Sequence, residues 1–185
     1  DGMSYGIVSA SNYKATFFDG ECAVIATDIP AEEQGTGMLF NMDGEVVGMI
    51  SSSVWNDTGK NVVNAYGISD LKPIIELLIN GKSVPYIGIY GTTVTEQLAE
   101  EHKMPSGIYV ADVDPDSPAM AAGIQIGDII CEASGEEIKD IAAYQNIVIG
   151  SSVGETMEFV GKRLGSDGYV NIKFSVVTTE KEEVK

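Results

Sequence analysis

Histidine and cysteine are nearly absent from this sequence: it has one histidine, His102, and two cysteines, Cys22 and Cys131, in different halves of the chain. Such a pair builds no disulfide framework and, with a single histidine, no zinc ligand set, so both cysteines read as small core residues. No metal or other cofactor is expected. Basic residues are scarce too: 11 Lys and Arg stand against 28 Asp and Glu, giving a net charge of −17. That charge repels phosphate backbones and anionic lipid surfaces, which argues against nucleic acid as a partner. No apolar run approaches the ~18 residues of a membrane span, and Asp1-Gly2-Met3-Ser4 has neither a basic n-region nor an apolar h-region. A targeting segment, if there is one, is expected upstream of Asp1.

What the chain does have is 185 residues, 44% of them apolar and 21% charged, which suits one large globular domain or two small ones. Its 21 glycines favour a turn-rich, strand-rich architecture. In the first third, Tyr5 to Ala10 and Cys22 to Thr27 read as strands, and Met38 to Asn41 faces Glu45 to Ile50 across an Asp43-Gly44 turn. Another strand is expected over Val62 to Tyr66. A helix capped by Ser69 or Asp70 follows, with Leu71, Ile74, Ile75, Leu77 and Leu78 on one face and Pro73 in its first turn.

Asn80-Gly81-Lys82-Ser83 reads as a linker, after which the rhythm changes. Strands are expected at Ile87 to Tyr90, Gly107 to Val113, Asp128 to Ala133, Thr156 to Lys162 and Tyr169 to Val177. Thr93 with Glu96 forms a capping box for a helix over Glu96 to His102. Ser117 caps Pro118 to Ala122 ahead of Gly123, and Asp140 caps Ile141 to Val148. The tail from Glu180 to Lys185 is charged, and fraying is expected there.

These fragments, in this order, resemble the back half of an HtrA-type protein, in which a trypsin-like protease domain is followed by a PDZ domain. Tyr5 to Ala10 is similar to the family's SGIVSA strand, and Ala26-Thr27-Asp28 to the QTD before its nucleophile loop. Leu39 to Met49 is similar to the LLNLDGEVVGI after that loop, and Ala65 to Ser69 stands where the family has GFAIPS. Tyr86-Ile87-Gly88-Ile89 matches the PDZ carboxylate-binding YLGI loop. Asp116 to Ala119, with Ala122 to Ile130, matches GSPAxxAGLxxGDVI. The resemblance implies a mostly β fold: a partial trypsin-like second β-barrel over 1–83, a PDZ domain (a small β-sandwich with two or three helices) over 84–180, and a charged tail at 181–185.

In the protease half the resemblance breaks at the chemistry. The family's nucleophile sits in NPGNSGGPLL, whereas this chain reads Ala31-Glu32-Glu33-Gln34-Gly35-Thr36-Gly37-Met38-Leu39-Phe40. Counting back from Asn41 puts Gly35 at the serine position, and counting forward from Thr27-Asp28 puts Thr36 there. The degenerate loop Gln34, Gly35, Thr36, Gly37 has no serine. The oxyanion glycine is replaced by Glu33 or Gln34, and a carboxylate at that place opposes the developing negative charge. Thr36 is a nucleophile only if a base activates it; otherwise it is a loop residue bonded to nearby backbone. The family's catalytic His and Asp belong to a first barrel, so this chain is expected to be inactive by itself and its parent a pseudoprotease. The alternative is a piece of a working serine-type endopeptidase of protein quality control, with His and Asp upstream.

In the PDZ half the resemblance implies peptide binding by strand addition, with the ligand's carboxylate held by the amides of Tyr86, Ile87, Gly88 and Ile89. It also places Ile141, Gln145 and Val148 along the groove and Tyr144 in the core. Ile87, Ile89, Ile141 and Val148 would form an apolar pocket. Expected partners are therefore peptides or unfolded segments with apolar C-termini, acidic ones being disfavoured by the net charge. A groove closed by the chain itself is the remaining reading. The resemblance further implies an extracytoplasmic location, secreted or membrane-anchored from upstream, and the incomplete barrel leads us to expect homo-oligomers. Asp112 to Asp116 imitates the start of an EF-hand loop, but Ser117 and Gly123 stand where Gly and Glu belong. Asn56-Asp57-Thr58 is a glycosylation sequon only if the source has that machinery.

Overall fold

The computed structural model describes residues 3–30, 35–51, 54 and 62–180. Gln34, the sequon and the 181–185 tail lie outside the described residues. The fold is mostly β, as the sequence implies. It divides into two compact units, one of Asp1–Ala15 with Cys22–Glu76 and one of Thr16–Glu21 with Leu77–Lys185.

Strands β1 (Val8–Phe17), β2 (Gly20–Pro30), β3 (Gly37–Phe40), β4 (Val46–Ile50) and β5 (Val62–Gly67) form one sheet in the order β1-β2-β5-β4-β3, which belongs to the first unit except for the Thr16–Glu21 end of β1 and start of β2. β2 alternates as a half-buried strand must, with Cys22, Val24 and Ala26 turned inward. Its pairing with β5 slips between Ala26 and Pro30. At that slip the Thr27 hydroxyl donates to Val63 O (2.6 Å) and accepts from Ile29 N–H (3.2 Å), replacing ladder bonds. The first strand does not start at Tyr5: Tyr5 and Ile7 are exposed, and Ile7 instead exchanges backbone and side-chain bonds with Asp28. Helix α1 (Ile68–Ile79) begins before Ser69, so neither predicted residue is its cap and Pro73 lies beyond the first turn. Asp70 accepts from Ala23 N–H (2.7 Å).

The second unit carries β6 (Pro85–Tyr86), β7 (Ile89–Val94), α2 (Glu96–His102), β8 (Gly107–Val113), α3 (Pro118–Ala122), β9 (Ile129–Ala133) and β10 (Glu136–Glu137). It continues with α4 (Ile141–Gly150), β11 (Thr156–Gly165), β12 (Gly168–Val177) and β13 (Thr179–Glu180). The main sheet runs β12-β11-β9-β8-β7 with β10 on β9, and β13 pairs with β6. Its core gathers Ile108, Val110, Ile130, Tyr144, Met157 and Phe159 between sheet and helices.

The strand expected over Ile87 to Tyr90 is two strands. Pro85–Tyr86 pairs with Thr179–Glu180, Ile89 onward pairs with β8, and Gly88 at φ +93 turns the chain between them. The expected capping box does not form, and a simple N-cap takes its place. β7 stays paired through Val94, so Thr95, not Thr93, caps α2 and accepts from Leu98 N–H, while the Thr93 hydroxyl accepts from Ile141 N–H at 3.1 Å.

Candidate functional site: an anion cradle at the head of β7

Three successive amides converge between β6 and β7. The carbonyl of Ile87 accepts from Ala119 N–H (2.9 Å) in α3, and that of Gly88 accepts from Asp114 N–H (2.9 Å). With both carbonyls tied to the α3 side, the N–H groups of Gly88 and Ile89, trans to them in the same peptide planes, face the opposite way and join that of Ile87 as a nest for an anion. Gly88 is required here twice over. Its φ lies in the left-handed region, and an added Cβ would stand 2.3 Å from the Cβ of Ser117, the residue that caps α3. Tyr86 lends the loop support from its side chain, its hydroxyl donating to Asp114.

The nest is filled by a carboxylate of this same unit. Asp19 Oδ2 accepts from Ile87 N–H and Gly88 N–H, each at 2.7 Å, and Oδ1 accepts from Ile89 N–H at 3.0 Å. The Tyr144 hydroxyl donates to Oδ1 at 2.6 Å, and Asp19 N–H donates to Ile89 O at 2.7 Å. Asp19 is therefore only 8% exposed. Burial pushes its carboxyl above the ordinary Asp value, while the Tyr144 hydroxyl and the three amides pull it back. The neighbours of Asp19 follow it: Phe18 meets Tyr90 edge to face at 5.8 Å, and Glu21 N–H donates to Gln145 Oε1 at 3.1 Å. At Gly20 a Cβ would lie 2.6 Å from the Gln145 amide carbon.

Of the residues singled out from sequence, Ile87, Gly88 and Ile89 supply the amides. Gln145 on α4 touches the occupying turn, and Ile141 and Val148 lie on the same helix, both buried in the core together with Ile87 and Ile89. Tyr144 keeps its ring in the core against Phe159 but sends its hydroxyl to the cradle. Sequence reading gave no role to Asp19 or to that hydroxyl. The one signal was Phe17-Phe18-Asp19-Gly20, two aromatics running into a turn pair. In the other unit, Gly35 and Thr36 form an exposed segment ahead of β3, and Gly37 begins that strand. His102 ends α2, exposed.

A PDZ-domain family model matches residues 109–163, which include β9, α4 and most of β8 and β11. Over 177 residues the chain is 30% identical to a protein from Halomonas elongata named probable periplasmic serine endoprotease DegP-like, covering 92% of this chain and 37% of that one. The chain is homologous to the HtrA/DegP serine proteases and carries a PDZ domain. The serine protease Do-like HtrA of Bacillus subtilis is 30% identical over 174 residues, spanning 86% of this chain and 38% of its own length. The chain thus spans little more than a third of these HtrA relatives, namely the C-terminal protease part and the PDZ domain. A solved structure of the HtrA-type protease AlgW with a decapeptide shares the fold, with a TM-score of 0.60 at 20% identity over 98% of this chain and 56% of that one.

Proposed function

We propose that this chain is the peptide-recognition end of an HtrA-type protein, whose PDZ groove binds apolar C-termini or unfolded segments along β7 and α4. The observation that carries the proposal is the convergence of the Ile87, Gly88 and Ile89 amides on one carboxylate, with β7 beside them and Gln145 across from them. A nest of backbone donors at a strand's start is how an extended peptide's terminal carboxylate is held while its backbone extends the sheet. Ile141 and Val148 would line the floor under the ligand's last side chain, and Tyr86 would brace the loop. The domain boundaries we favour are 1–83 and 84–180, with the Thr16–Glu21 turn counted with the second unit.

The protease part is proposed to be inactive, because Gln34-Gly35-Thr36-Gly37 offers no serine at the nucleophile position. The names of the relatives favour a second reading, a working endopeptidase of which this is one portion. Casein cleavage by the full-length protein that is lost in Thr36→Ala would decide for the second. The relatives named periplasmic support an extracytoplasmic location. Calorimetric titration of this chain with free-acid and C-terminally amidated forms of one apolar-ended peptide pool tests the groove. Binding of the free acid alone is expected, and equal binding of both forms would remove the carboxylate from recognition.

A further inference from the structure

The geometry points to Asp19 as an internal ligand of the cradle: a peptide's terminal carboxylate enters by displacing the chain's own Phe18-Asp19-Gly20 turn. The inference rests on the peptide-groove reading above and adds what the site holds when no peptide is present.

Asp19 reproduces the contacts a terminal carboxylate would make. Its two oxygens take all three nest amides and the Tyr144 hydroxyl, and its own N–H donates to Ile89 O, the first carbonyl of the strand a ligand would extend. The turn is seated on both sides, by Phe18 against Tyr90 and by Glu21 N–H on Gln145. Asp19 sits at φ +64, a left-handed turn conformation that Asp adopts more readily than most residues with a Cβ. Here that conformation turns the carboxylate into the nest while the backbone pairs with Ile89. Two carboxylates cannot share three amides, because like charges at that distance repel strongly where water is excluded. Occupation by Asp19 and by a peptide is therefore exclusive.

Exclusive occupation lowers the apparent affinity by the fraction of molecules whose cradle is open. The test uses the whole 185-residue chain and its variants Asp19→Ala and Asp19→Asn, each checked for cooperative thermal unfolding. Asp19→Asn keeps the side chain's shape and one acceptor, and so guards against a fold lost in Asp19→Ala. The probe is a pool of free-acid decapeptides ending in Val, Leu, Ile or Phe, with the same pool amidated. Free-acid affinity is expected to rise about tenfold or more in both variants, with the amidated pool unmoved. Unchanged or weaker free-acid binding by folded variants overturns the internal ligand and leaves the groove reading intact. If neither wild type nor variants bind any of the pool, the groove reading fails and this inference with it.

Discussion

Gly88 and Ser117 touch where the cradle meets the start of α3, and that contact fixes what each residue can be. A methyl at Gly88 would stand 2.3 Å from Ser117 Cβ at a φ of +93. Strain and overlap add rather than alternate, so Gly88→Ala is expected to cost about 2–4 kcal/mol and to shift the urea midpoint accordingly. An unchanged midpoint would mean that the loop relaxes without loss. The same variant should lose peptide binding, because the amides of Ile87 and Ile89 swing with the loop. Cys22 illustrates the opposite case, a residue whose chemistry is suppressed: burial first, then the nearby Asp70 charge, push its thiol up to about 11.

Among the elements, β11 is pinned to the turn before β9 by one ion pair. Arg163 Nε and Nη2 donate to the two oxygens of Asp128 at 2.6 and 2.7 Å, and the carboxylate, itself buried, also accepts from Gln125 N–H at 2.9 Å. Removing the guanidinium strands a buried charge, so Arg163→Ala is expected to lower unfolding free energy by about 3 kcal/mol. Arg163→Lys should recover little of it, since an ammonium has no fork to match the carboxylate; full recovery would contradict the bidentate account. Elements of this unit were legible wherever their signals are local. Ser117-Pro118 and Gly123 bound α3 by cap, first-turn proline and left-handed stop, and Gly107 to Val113 is a strand over the span expected of it. Thr95 was missed for Thr93 because the bond that decides it comes from Ile141, 48 residues on. The cradle's own loop could be read by resemblance. Its occupant could not, since Asp19 lies 68 to 70 residues from the amides and 125 from the hydroxyl it bonds, and no periodicity links them.

For the whole molecule the dominant field is the net charge of −17. Free-acid peptides with Asp or Glu upstream of an apolar terminus are expected to bind more weakly than Lys-containing counterparts. The gap should narrow as salt rises from about 0.05 to 0.5 M, where the screening length falls from roughly 14 to 4 Å. A salt-independent gap would place the selectivity in side-chain contacts within the groove. The occupied cradle bears on time as well as on affinity. A peptide meeting this chain must wait for Asp19 to leave, so in stopped-flow mixing the observed association rate should climb with peptide concentration and then level off at the turn's own release rate. In Asp19→Ala the same trace should stay linear, with encounter by diffusion setting the pace.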